Sequence, residues 1–211
     1  MSPRHEGDAL LRVDDLCFSY GADPLFAHWS ATFAPGLHLV CGDESRGKTS
    51  LLRLLAGDLP AQSGRFQIGA CLLSEDAVAY RAQVFRTDPA SPAFEQLTPL
   101  AWFAQLRDRY PAFDMAWAGQ LLAQLFMTPH LGKTGYMMST GSRRKLWLAA
   151  ALASGAPIVL IDQPFAALDA PSIRAVTALL HQLAQQQQRV IVLADYELPE
   201  HLMPKQCITL A

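Results

Sequence analysis

Apolar positions along this chain follow one period, then another, then the first again. Residues 10–21 alternate apolar and polar as a half-buried strand does, and stop at a glycine turn. WSATF at 29–33 and LHLVC at 37–41 flank Pro35–Gly36, a hairpin-like signal. SLLRLLAG at 50–57 has helical spacing, and further strands are predicted at 64–74 and 82–85. From about residue 97 to residue 153 the spacing turns helical, with segments at 97–110 and 114–127 separated by Pro111. The aromatics of this stretch, Trp102, Phe103, Tyr110, Phe113, Trp117 and Phe126, are predicted to form its own core. The apolar run 146–161 is broken at Gly155–Pro157 and reads as helix, turn and buried strand, too short and interrupted for a membrane span. Residues 171–188 form an amphipathic helix with a polar glutamine end; a buried strand at 189–195 and a short one at 206–211 follow. There is no internal repeat and no linker.

One junction carries chemistry. Residues 42–49 read GDESRGKT, so Gly42, Gly47, Lys48 and Thr49 satisfy G-x-x-x-x-G-K-[ST] between a strand and a helix. Such a loop turns backbone N–H groups toward a phosphate, and the helix N-terminus adds partial positive charge. Asp43, Glu44, Ser45, Arg46 and Ser50 complete the loop and its exit. The carboxylates of Asp43 and Glu44 either weaken phosphate binding or point to solvent. Lys48 is expected to reach the β/γ oxygens and Thr49 to hold Mg²⁺. Further on, MSTGS at 138–142 places Ser139 as a helix cap, and IVLIDQP at 158–164 is an apolar strand ending in Asp162.

Composition narrows the class. The 211 residues are about half hydrophobic and 17% charged, with net charge −2, so nothing electrostatic points to nucleic acid. The four cysteines, Cys17, Cys41, Cys71 and Cys207, lack a C-x-x-C pair, which suits reduced thiols rather than a disulfide scaffold or zinc. The N-terminal segment 1–15 shows no apolar leader core.

Strand, phosphate loop, helical insert, S-x-G element, apolar strand with Asp162 and final strand, in that order, resemble an ATP-binding cassette (ABC) ATPase over nearly the whole chain. The helical stretch is most similar to short nucleotide-binding subunits of bacterial ABC exporters. The resemblance implies an α/β P-loop NTPase with a mixed β core, an antiparallel β subdomain and an inserted α-helical subdomain. One nucleotide-binding domain would span 1–211, with 1–86 and 154–211 as ATPase core and about 87–153 as the helical part. ATP and Mg²⁺ are the implied ligands. Tyr20 falls where the family stacks an aromatic ring on adenine, and Asp162 where it holds Mg²⁺ beside Thr49. Within the stretch 139–142 that would complete the partner subunit's site, Ser139 and Gly141 match the signature, whereas Thr140 and Ser142, with Met138 before them, depart from its commonest form. Residues 165–169 match the segment that crosses the dimer interface. A second ABC ATPase subunit and a separate transmembrane permease are the implied partners, on the cytoplasmic face of the inner membrane.

Three positions depart from the pattern. Gln163 stands in place of the glutamate after the strand, and Asp195 in place of the switch histidine. Arg86 occupies the slot of the glutamine at the lobe entrance, with Gln83 three residues earlier. The expectation is a chain that binds ATP but hydrolyses it slowly at its own site; an ATP-gated regulatory module with little turnover is the alternative.

Overall fold

The computed structural model describes residues 10–210, so most of the leader reading lies outside the described residues. Its strands form two sheets. The first is antiparallel, in the order β2-β1-β4-β5, from β1 (Leu11–Ser19), β2 (Pro24–Phe33), β4 (Ser63–Ile68) and β5 (Cys71–Leu72). The second is parallel throughout, in the order β6-β7-β8-β3-β9, from β3 (Gly36–Cys41), β6 (Val84–Arg86), β7 (Ile158–Asp162), β8 (Val190–Ala194) and β9 (Gln206–Thr209). The mixed core therefore resolves into one antiparallel and one parallel sheet.

The hairpin expected at Pro35–Gly36 does not form. β2 pairs with β1 and β3 with β8 and β9, so the two residues mark the corner where the chain changes sheets. Gly36 takes φ 134° there, and an added Cβ would come within 3.2 Å of Lys205.

Helix α1 (Lys48–Leu55) lies between the sheets and buries Leu51, Leu52, Leu54 and Leu55. They share a cluster with Leu11, Val13 and Phe66 of the antiparallel sheet and with Val40, Leu160 and Val192 of the parallel one. Residues alternating with these, among them Leu39, Val159, Ile161, Ile191 and Leu193, bury the other face against the remaining helices. Strands buried on both faces read as continuous apolar runs, which is why 158–161 and 190–194 lack alternation.

A short helix unforeseen in the sequence, α2 (Ala77–Ala82), is capped by Asp76 accepting from Ala79 N–H; it takes Ala82 out of the predicted strand and leaves Val84–Arg86 as β6. Between β6 and β7 come α3 (Pro99–Arg109), α4 (Met115–Gln124) and α5 (Thr140–Ala153). Asp114 caps α4 through Trp117 N–H. Phe94, Trp102, Phe103, Tyr110, Phe113 and Trp147 are buried together, with Trp102 and Trp147 ring centroids 4.7 Å apart. Two expected members differ: Trp117 is half-buried against this cluster, and Phe126 is 54% exposed. Phe126 follows the end of α4 with φ 60°, a left-handed turn that takes it out of the helix's apolar stripe. α6 (Ala170–Gln186) starts on an Asp169 cap and ends at Gln187 with φ 48°. Just before β8, Arg189 donates to the carbonyls of Ala151, Leu152 and Ala156 and to Ser154 Oγ, gripping the C-terminus of α5. Burial pulls this guanidinium's pKa down to about 10. Among the described residues no helix is long and apolar enough to cross a membrane.

Candidate functional site

The C-terminal ends of β3, β7 and β8 converge, and the loops leaving them build a cleft of about 480 Å³. β3 delivers Cys41 to Gly42, whose φ is 152° and whose added Cβ would lie 2.8 Å from the Leu210 carbonyl oxygen. Ser45 and Gly47 take φ 64° and 87°. Left-handed residues within a tight loop turn successive N–H groups to one side, a concavity suited to an anion. Gly47 caps α1 without a side-chain hydrogen bond, so the helix opens onto the cleft with its N-terminal N–H groups uncapped.

Lys48 is buried at 7% exposure. Its ammonium donates to Gly42 O at 2.5 Å and Asp43 O at 2.8 Å, and it lies 4.2 Å from the centroid of the Tyr196 ring. Thr49 Oγ1 donates to Asp162 Oδ2 at 2.5 Å. Asp162 ends β7 after four buried residues, which fixes this carboxylate against the start of α1. A hydroxyl and a carboxylate so placed are hard oxygen donors that fit Mg²⁺. Tyr20 is 67% exposed, edge-on to Phe18 at 4.8 Å, with its hydroxyl 3.0 Å from Ser50 Oγ. The hydroxyl is thus engaged, and the ring lines the same cleft. Asp43, Glu44 and Arg46 are exposed; Glu44 lines the cleft, and Asp43 serves through its carbonyl.

Gln163 N–H donates to Ala194 O at 2.8 Å, and its φ of 46° is a left-handed backbone on a residue other than glycine. Its side chain borders both this cleft and a second one of about 630 Å³, which also touches Thr49, Asp162, Thr140 and Arg144. Asp195 is half-buried, and its Oδ1 accepts from Tyr196 N–H at 2.8 Å. Burial first, and the Asp162 carboxylate next, push its pKa up; the Tyr196 N–H, Lys48 and Arg144 oppose them. Tyr196, one residue on, lines the cleft.

Arg86 borders the second cleft but is committed elsewhere. It pairs with Asp58 at 2.8 Å and Asp88 at 3.3 Å, with its side chain 17% exposed. A guanidinium has no lone pair for a cation, so it cannot do what a glutamine carbonyl could. Gln83 is at the other end of β6, where its amide donates to Ala79 O, and does not join the site.

Ser139 caps α5 by accepting from Ser142 N–H at 3.2 Å. Gly141 is required by contact: a Cβ there would be 2.5 Å from the Ala167 carbonyl oxygen. Arg144 donates to Ala166 O, and Lys145 lies 3.9 Å from Asp169. The start of α5 thus rests on the segment after β7. Burial lowers the Arg144 pKa, while Asp162 and Asp195 act to raise it. Arg144 and Tyr196 were not singled out in the sequence. The basic run 143–145 hinted at the first, whereas nothing in a lone tyrosine marked the second.

Known proteins align with this arrangement. The ABC transporter family model matches residues 29–166. The taurine import ATP-binding protein TauB of Pseudomonas fluorescens is 30% identical over 195 residues, covering 91% of this chain and 74% of that protein. TauB of Escherichia coli K12 is 29% identical over 192 residues, covering 90% and 75%. Among solved structures, a putative ABC transporter ATP-binding protein from Pyrococcus furiosus superposes with TM-score 0.76 at 18% identity, covering 95% of this chain and 96% of that one. An ATP-bound bacterial Atm1-family ABC exporter gives 0.80 at 18%, covering 97% and 37%. With the family model matched over residues 29–166 and a TauB protein 30% identical over 195 residues, the chain belongs to the ABC transporter family, as an ATP-binding subunit.

Proposed function

We propose that the chain binds ATP with Mg²⁺ on residues 42–50, closes around it with a second ATP-binding subunit, and drives a separate membrane permease at the cytoplasmic face of the inner membrane. Hydrolysis at its own site is slow. The observation that carries this reading is the Thr49–Asp162 contact beside a buried Lys48, an arrangement with few uses apart from a metal-bound triphosphate. Tyr20 stacks on adenine, and the loop N–H groups take the β-phosphate. Lys48 exchanges carbonyl partners for phosphate oxygens. Thr49 and Asp162 hold Mg²⁺, which when bound neutralises phosphate charge. Residues 87–153 act as a helical lobe whose Ser139–Ser142 turn faces the partner's nucleotide. Selectivity for cargo would lie in the permease.

Gln163 can orient a water but cannot accept its proton, and loss of a general base costs on the order of 10²–10⁴ in rate. The test is calorimetry with ATP and Mg²⁺, followed by turnover of the unmodified chain and of Gln163→Glu. Tight binding, and turnover that rises on substitution, are expected. No heat of binding would remove the reading, and unmodified turnover above about one per second would remove the impairment. A second reading, an ATP-gated binding module with negligible catalysis, is favoured by the same Gln163. Stoichiometric ATP retention and no membrane protein on copurification would select it.

A further inference from the structure

We infer that Cys41 and Cys207 are a thiol modification site: they close to a disulfide that fastens β9 to β3 and, on the nucleotide reading above, weakens the grip of the phosphate loop. Their sulfurs already touch, Sγ to Sγ 3.3 Å across the two strands. Cys41 Sγ also lies 3.3 Å from Thr209 Oγ1 and 3.6 Å from the Ile208 carbonyl oxygen, so it is turned toward β9. Cys17 and Cys71 belong to the antiparallel sheet, where their sulfurs meet the His28 N–H and the Asp76 carbonyl oxygen instead. Cys207 is exposed and Cys41 half-buried, so a reagent meets Cys207 first.

The co-reactant is a small disulfide of the glutathione class. The Cys207 thiolate attacks one of its sulfurs, forms a mixed disulfide and releases one reduced thiol. The Cys41 thiolate then attacks Cys207 Sγ and expels the second. The protein has lost two electrons, the reagent has gained them, and the two thiol protons end on the released thiols. Desolvation first, and Cys41 next, raise the Cys207 pKa, so the exchange is slow at neutral pH and needs an excess of oxidant.

Closing the pair costs register. Leu39 pairs with Cys207 and Cys41 with Thr209, so the two cysteines share a face of the sheet, two residues out of step. Strands about 4.8 Å apart, offset by about 6.6 Å, put their Cα atoms roughly 8 Å apart, beyond the ~7 Å that a disulfide spans unaided. One strand must slide. β3 is held between β8 and β9, whereas β9 is an edge strand of four residues paired with β3 alone. Its forward slide, about 1–2 Å, carries Leu210 along Gly42. There the Leu210 N–H donates to Cys41 O at 2.8 Å, and its carbonyl oxygen lies 2.8 Å from where a Gly42 Cβ would stand. Gly42 O in turn holds the Lys48 ammonium. A movement of β9 is therefore felt at the first residue of the phosphate loop.

The full-length chain is treated with excess oxidised glutathione and then with dithiothreitol. Free thiols are counted, digests are searched for the crosslinked peptide, and affinity for a non-hydrolysable ATP analogue with Mg²⁺ is measured calorimetrically in each state. The oxidised chain should lose two of its four free thiols to a Cys41–Cys207 crosslink. Its affinity for the analogue should fall about 10-fold and return on reduction. Cys207→Ser should keep the affinity of the reduced chain and ignore the oxidant, while a chain with both Cys17 and Cys71 replaced by serine should respond fully. Glutathione adducts without a crosslink, a crosslink between two chains, or a response that persists in Cys207→Ser overturns the site. A crosslink that leaves affinity unchanged overturns its coupling to the loop. If the reduced chain binds no analogue, the nucleotide reading falls and the coupling with it, and the crosslink alone decides the thiol site.

Discussion

On the function proposed above, the two sides of the cleft differ in what they offer a nucleotide. On the floor, Lys48, Thr49, Asp162 and the left-handed Ser45 and Gly47 supply the donors and oxygens that the proposed function assigns to a metal-bound phosphate. At the rim that the same proposal gives to the attacking water, Gln163 stands in the place of a carboxylate, Asp195 accepts its neighbour's N–H, and Arg86 is paired with two aspartates. Binding and turnover draw on separable sets of atoms. A chain can keep one while losing the other, because charge stabilisation of the ground state comes from the floor and water activation from the rim.

The largest expected effect breaks the floor. Lys48→Ala removes a charged donor from the phosphates and should lower ATP affinity by about 10²–10⁴-fold in calorimetry, with the fold intact by circular dichroism. Next comes the rim. Gln163→Glu should raise turnover about 100-fold with ATP affinity changed less than about threefold, and Asp195→His added to it should raise turnover further. If affinity and turnover moved together in these variants, the division between floor and rim would be wrong. Gly141→Ala tests the contact between α5 and the segment after β7: a Cβ at 2.5 Å from the Ala167 carbonyl oxygen forces α5 or its neighbour to shift, costing about 1–3 kcal/mol in denaturant melts.

The smallest effect lies outside both sides. His38 is buried with Nε2 at 2.7 Å from the Ala34 carbonyl oxygen, and burial lowers its pKa below 6.5. As pH falls below that value the unfolded chain takes up a proton before the folded one does, so stability should decline on acidification. His38→Gln should flatten that decline in melts compared at pH near 7.5 and 5.5.

The floor was legible in the sequence because it is local. Eight consecutive residues between a strand and a helix specify it, and Asp162 was found by the apolar run it ends. What escaped depended on distant partners. Pro35–Gly36 has the punctuation of a hairpin, but whether the flanking strands pair is decided by β1 and β8, remote in sequence. α2 has six residues, too few to display a period. Just past β8, the half-buried Asp195 and the exposed, cleft-lining Tyr196 are neighbours in a turn, where no period says which of the two faces the cleft.

The grip of Arg189 on the end of α5 bears on the far end of that helix, where Ser139–Ser142 lie. With its far end bolted to the start of β8, the fourteen-residue helix is a lever about 20 Å long whose fulcrum lies at Ser154. A swing of about 10° would carry Ser139 roughly 3–4 Å, and Arg144 and Gly141 would drag the segment after β7 along or have to release it.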